Sequence, residues 1–203
     1  MSARLSLEID TRPLYRVRAD VLVVPFGGDH ALEHGPLAWV DWRLCGLLRA
    51  RLQEDAASTA AGAAALAPTE GRLRAPWVLA VSMGMRPGAT SHGVERAAAS
   101  WLERVLALGA EHAAVALPAG RETAQGADEI AAAWARGLAR IRRSMEVRMV
   151  VGASLAREAR RGLERVAERE FDGLEVAFRA PATAAALPPA TGPGVPAPGG
   201  PAA

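Results

Sequence analysis

The chain has 203 residues and a mass of 21.2 kDa, half of it apolar and 23% charged, with a formal net charge of +2. That size fits one domain with a real core and a short appendage. A single cysteine, Cys45, excludes an internal disulfide framework and points to the cytoplasm. Residues 1–10 already carry Arg4 and Glu8 and show no apolar leader, and no uninterrupted apolar run is long enough for a membrane span. Lys and Asn are absent, all 24 basic residues being Arg. Schiff-base lysines, a P-loop ammonium and a lysine general base are thereby excluded. The isoelectric point of 9.4 reflects the lack of groups titrating between His and Arg, and is not by itself a nucleic-acid signal.

In chain order, Leu5, Leu7 and Ile9 alternate with polar neighbours and predict a half-buried strand. Val21 to Phe26 is a short apolar run closed by Gly27-Gly28, as in a buried strand that ends in a loop. Leu37, Val40, Leu44, Leu47, Leu48 and Leu52 recur at helical spacing after Pro36 and predict one helix, with Cys45 packed inside it. Residues 63–67 and 77–82 predict two neighbouring strands. A helix over about 93–108 follows, stopped by Gly109. A strand at 113–117 leads through the loop Pro118–Gly126 into a helix for which Asp128 is the expected cap, carrying Ile130, Trp134, Leu138 and Ile141 inward. Another strand is expected at 147–151, then a helix capped by Ser154, then a last strand at Leu174, Val176 and Phe178. Strands alternating with helices of this length predict a three-layer α/β/α domain over residues 1–180. Its sheet should be mostly parallel, made mixed by the opening strand and the 63–82 pair. Residues 181–203 hold only Ala, Pro, Gly, Thr, Leu187 and Val195, and that composition predicts a disordered tail biased to polyproline II.

No motif carries a catalytic assignment, and neither a metal nor a cofactor is expected. His30-Ala31-Leu32-Glu33-His34 spells an inverted zinc-peptidase pattern, but Gly27-Gly28 and Gly35-Pro36 leave room for about one helical turn, so it reads as a polar loop. His92 and His112 flank a helix and read as capping or surface residues. Two Gly-flanked loops, 27–35 and 118–126, follow apolar strands where open α/β sheets seat ligands. The candidate crevice is therefore lined by Gly27, Gly28, Gly35, Gly120, Arg121 and Gly126. Between Arg136 and Arg169 ten arginines face four glutamates. Arg142, Arg143, Arg157, Arg160 and Arg161 form a weak phosphate-facing candidate, although interleaved aromatics are missing and a solvated helical face explains the pattern better.

The stretches Ala19–Phe26, Val40–Gly46 and Trp77–Gly84 (ADVLVVPF, VDWRLCG, WVLAVSMG), in this order and spacing, resemble the N-terminal domain of the leucyl aminopeptidase family. The resemblance covers about residues 1–180 and implies a macro-domain-like fold. Ile9-Asp10-Thr11 and Leu32-Glu33-His34-Gly35 carry a fainter likeness to ADP-ribose-binding macro domains, which implies Asp10 as a further residue of the candidate crevice. In the aminopeptidase family the reaction belongs to a C-terminal domain with two metals and a catalytic lysine. Thr69-Glu70-Gly71-Arg72-Leu73 resembles part of its metal-binding signature, but lacks the Asn and Asp that should precede it and falls between two strands. The asparagines that macro domains use after the second strand are likewise replaced by Pro25-Phe26-Gly27-Gly28. The expectation is a stand-alone, non-catalytic relative that pairs with itself or with a full-length aminopeptidase in assembly or regulation. The alternatives are binding of ADP-ribose or a related nucleotide and, more weakly, of nucleic acid.

Overall fold

The structure is a computed structural model that describes residues 5–27, 35–54, 60–84, 91–118, 126–141 and 143–170, together with the backbone of 174–176. Among these residues seven strands form one sheet: β1 (Leu5–Asp10), β2 (Val21–Phe26), β3 (Ala64–Pro68), β4 (Trp77–Ser82), β5 (His112–Ala116), β6 (Met145–Val150) and β7 (Leu174–Val176). Their order is β3-β4-β2-β5-β6-β1-β7. Only β3–β4 is antiparallel; the remaining pairs run parallel. The opening strand thus does not contribute to the mixing, as β1 lies parallel to both β6 and β7. Period-two alternation reports which side chains are buried, not which way a neighbour runs.

Each face of the sheet carries its own core. Leu5, Leu7, Ile9, Val21, Val23, Val147 and Met149 point to one side, under α3 (Ser91–Ala107), α4 (Ala127–Ala139) and α5 (Ala156–Arg169). Leu22, Val24, Phe26, Val78 and Ala80 point to the other, under α1 (Gly35–Arg43) and α2 (Leu47–Glu54). Strand β2 is buried along its whole length because it feeds both cores, which is why its sequence is an unbroken apolar run. Its Pro25 lies beyond Val23, the last residue paired with β5, where a missing N–H costs that ladder nothing.

On the α3/α4/α5 side the helices touch through glycine. A Cβ on Gly137 would overlap the Glu95 carbonyl of α3, and one on Gly162 would overlap the Asp128 backbone at the start of α4. Trp101 and Trp134 are fully buried there, with ring centroids 5.8 Å apart at 44°.

Three local expectations are corrected. The helix expected over 37–52 is two helices, broken at Cys45 (φ 55°) and Gly46 (φ 83°). The Gly46 N–H returns to the Asp41 carbonyl at 2.9 Å, and the buried Asp41 carboxylate accepts the Arg49 N–H at 3.0 Å in the first turn of α2. Leu44 and Leu48 keep the apolar stripe continuous across the break, so periodicity conceals it. Cys45 is consequently exposed rather than packed. Gly126, not Asp128, is the N-cap of α4. Leu155, not Ser154, is the N-cap of α5, with no side-chain capping bond.

Candidate functional site

The carboxyl ends of the parallel strands are joined to one another. The Val151 N–H donates to the Asp10 carbonyl (3.0 Å) and the Leu117 N–H to the Val150 carbonyl (2.8 Å), which aligns the exits of β1, β6 and β5. Asp10 ends β1 with a buried carboxylate. Arg12 clamps it: its backbone N–H and Nε each donate to Oδ1 at 2.9 Å, and its guanidinium also reaches Oδ2. Burial works to raise the Asp10 pKa, but these donors outweigh it and hold the carboxyl below the ordinary range.

Gly27 sits where a Cβ would come within 3.3 Å of the Gly84 carbonyl, so close approach of the β4 exit accounts for the glycine. Gly35, at φ 77°, opens α1 in the left-handed region. Gly126 precedes α4, and the Ala127 N–H beside it donates to Glu158 Oε1 of α5 at 3.0 Å. A Cβ at Gly126 would stand 2.6 Å from that same oxygen. A carboxylate of the chain itself therefore occupies the positive end of α4. Asp128 accepts from Arg165 at 2.7 Å; burial opposes ionisation, yet this bond, the backbone N–H donors at the start of the helix and the Arg165 charge together outweigh it and keep the Asp128 pKa lowered. Gly28, Gly120, Arg121 and the His30–His34 motif lie outside the described residues, as do Arg142 and Phe178.

Of the arginine candidates, Arg143, Arg157 and Arg161 are exposed, and Arg160 donates to Glu164 one turn on at 2.8 Å. Much of the surrounding set is tied internally. Arg136 and Arg140 meet the buried Glu95, Arg136 also meets Glu170, and Arg148 lies on β6 against Glu8. Among the described residues no cluster of three His, Cys, Asp or Glu side chains could hold a metal ion.

A concavity not anticipated from the sequence opens at the amino ends of the strands. It encloses about 520 Å³ and is lined by Arg18, Ala19, Asp20, Arg74, His112 and Arg148. Asp20 accepts the backbone N–H groups of His112 (2.9 Å) and Glu111 (3.0 Å), which overcome the upward push of burial and lower its pKa. His112 stands between Asp20 and Glu146, at 3.5 and 3.6 Å. Arg148 is spent on Glu8 and on the Arg18 carbonyl (2.6 Å). The lining comes from four separate segments, and no linear spacing announces it.

A parallel sheet between two helical layers, with one antiparallel strand at its edge, is a macro-domain-like fold. Solved structures agree. The chain superposes on an Oceanobacillus iheyensis macrodomain with MES bound at TM-score 0.63 and 12% identity, covering 79% of this chain and 91% of that one. A Trypanosoma brucei macrodomain in complex with ADP matches at TM-score 0.61 and 12% identity, covering 79% and 69%. A tomato leucine aminopeptidase variant matches at TM-score 0.60 and 16% identity over 80% of this chain but only 36% of its own. A search of curated proteins finds no significant sequence match. The family model for the cytosol aminopeptidase family, N-terminal domain, matches residues 23–142, more than half of the chain. The chain belongs to that family, through the N-terminal domain. Among the described residues no helix is long and apolar enough to cross a membrane.

Proposed function

We propose that this domain acts in protein assembly or regulation, as a non-catalytic relative of the aminopeptidase N-terminal domain. Its partner is a second copy of itself or a full-length aminopeptidase, met in the cytoplasm, as the single cysteine and the family suggest. One observation carries the reading: the charged groups described at the strand exits are already satisfied from within. Glu158 caps α4 where a phosphate would sit, and Arg12 neutralises Asp10 where a polar ligand edge would be read. A nucleotide would have to displace both, giving up charge-assisted bonds before gaining its own. Exposed apolar surface beside the sheet edge supports a protein partner, since Trp77 is 41% exposed and pairs with Pro68 of edge strand β3.

The rival reading, binding of ADP-ribose or a related nucleotide between loops 27–35 and 118–126, draws on the fold shared with a macrodomain solved with ADP. Calorimetry with ADP-ribose separates the two. The assembly reading expects no heat at millimolar ligand, together with a sedimentation mass above the monomer or retention of a full-length aminopeptidase on the immobilised chain. Saturable nucleotide binding by a strictly monomeric chain would replace it.

A further inference from the structure

The face of the domain opposite the two buried tryptophans carries an aromatic surface that the assembly reading does not use. Tyr15, in the single turn Leu14–Arg16, and Trp39 of α1 are half-buried on the second core, with ring centroids 5.7 Å apart and planes inclined by 31°. Trp42, one turn further along α1, is 71% exposed. The guanidinium of Arg43 stands 5.1 Å from the Trp39 ring, 5.3 Å from Tyr15 and 5.7 Å from Trp42, and that of Arg16 lies 5.6 Å from Tyr15. Three rings thus lie within cation–π range of one guanidinium. Among the described residues neither Arg16 nor Arg43 has a carboxylate partner. Tryptophan, tyrosine and arginine presented together in this way form the kind of surface that dominates recognition energy.

The same chain supplies a segment of matching chemistry. Seven of its 14 prolines fall in residues 181–203, which carry no side-chain charge. Two stretches there, Pro193-Gly194-Val195-Pro196 and Pro198-Gly199-Gly200-Pro201, repeat proline at a spacing of three. Polyproline II has three residues per turn, so each pair presents two pyrrolidine rings on one side. Such a strand makes no internal hydrogen bonds. Its carbonyls are left to accept from guanidinium donors while its rings lie on aromatic faces.

Reach is ample. Pro193 lies seventeen positions beyond Val176, the end of β7. In polyproline II that stretch spans about 50 Å at roughly 3.1 Å per residue. From β7 to β2, on which α1 packs, there are four strand spacings, about 19 Å.

We infer that Tyr15, Trp39, Trp42 and Arg43 form a proline-reading platform whose occupant is this chain's own segment 193–201, docked within the same molecule. The test uses the full-length chain, a tail variant P193A/P196A/P198A/P201A, and that variant with Trp42→Ala added. A fluorescent peptide of residues 186–203 is expected to bind the tail variant at least tenfold more tightly than the wild-type chain, whose own tail competes. Trp42→Ala should weaken that binding at least tenfold, and because Trp42 is exposed the fold should survive it. Equal affinity for the wild type and the tail variant, no binding to the tail variant, or binding indifferent to Trp42→Ala would each overturn the inference. So would a wild-type dimer that the tail substitutions turn into a monomer, since the tail would then be docking on a second copy.

Discussion

On one face of the sheet α3, α4 and α5 enclose Trp101 and Trp134 completely, meet through Gly137 and Gly162, and tie their charges to one another through Glu95, Asp128, Glu158 and Glu170. On the other face α1 and α2 cover the sheet with a leucine stripe but turn Trp42 and Arg43 outward. The same residue type therefore does opposite work on the two sides. Trp134 fills volume, whereas Trp42 displays it. The first face is complete as it stands, and the second gains by being covered.

The contrast is broken most directly at the tryptophans. Trp134→Ala opens a cavity in a layer with no room to collapse, and a loss of about 3–5 kcal/mol is expected. In a chain of this size that lowers the thermal midpoint by roughly 10 °C, measurable by calorimetry. Trp134→Phe should cost far less, because among the described residues the buried indole N–H has no acceptor to lose. In the tail variant, where the segment no longer docks on it, Trp42→Ala should change stability by less than about 0.5 kcal/mol. Comparable losses at Trp42 and Trp134 would abolish the distinction between the faces.

Next in size is Gly162→Ala. The added methyl meets the Asp128 backbone, which cannot rotate away as a side chain can, so α5 must lift from α4. A destabilisation of about 1–3 kcal/mol is expected from chemical denaturation, despite the better helix propensity of Ala. A stabilised variant would mean that the helices are not held at glycine contact.

What the sequence could convey follows the same division. The strands and the long helices were legible because burial imposes periods of two and 3.6, and the Leu, Val and Ala positions obey them. The break at Cys45-Gly46 was not, as the stripe runs through it and the group that ends one helix and begins the next is Asp41, a single buried carboxylate. The cap of α4 was equally hidden, because Glu158 lies thirty-one residues from the N–H it accepts. At the strand exits, Asp10 could be placed from the sequence, but its lock could not. Arg12 is two residues away in a string with other arginines near, and only the turn after β1 selects it. Trp39, Trp42 and Arg43 fall on one side of a helix by their spacing alone, whereas Tyr15 joins them only through the fold.

The smallest effect concerns that lock, and it separates an internal ion pair from a group kept ready for a ligand. The Asp10 carboxyl titrates below its ordinary range in the folded chain because the Arg12 donors outweigh burial. A lowered folded-state pKa means that the stabilisation is complete above the unfolded value, near 4, and is lost as pH falls through the folded value. Asp20, Asp128 and Glu170 are shifted the same way and add to the same acid limb, so the wild-type curve alone does not isolate Asp10. The difference between the wild type and Asp10→Asn does. The variant keeps the shape and one acceptor oxygen but cannot ionise, and should be less stable at pH 7 by on the order of 1 kcal/mol, Arg12 being half exposed. That gap should narrow as the pH falls below the unfolded value near 4, in thermal midpoints measured across the acid range. A gap that does not narrow at all below pH 4 would trace the loss to packing, and a gap absent at pH 7 would leave the Asp10 carboxylate uncommitted and the crevice open to a ligand's donors.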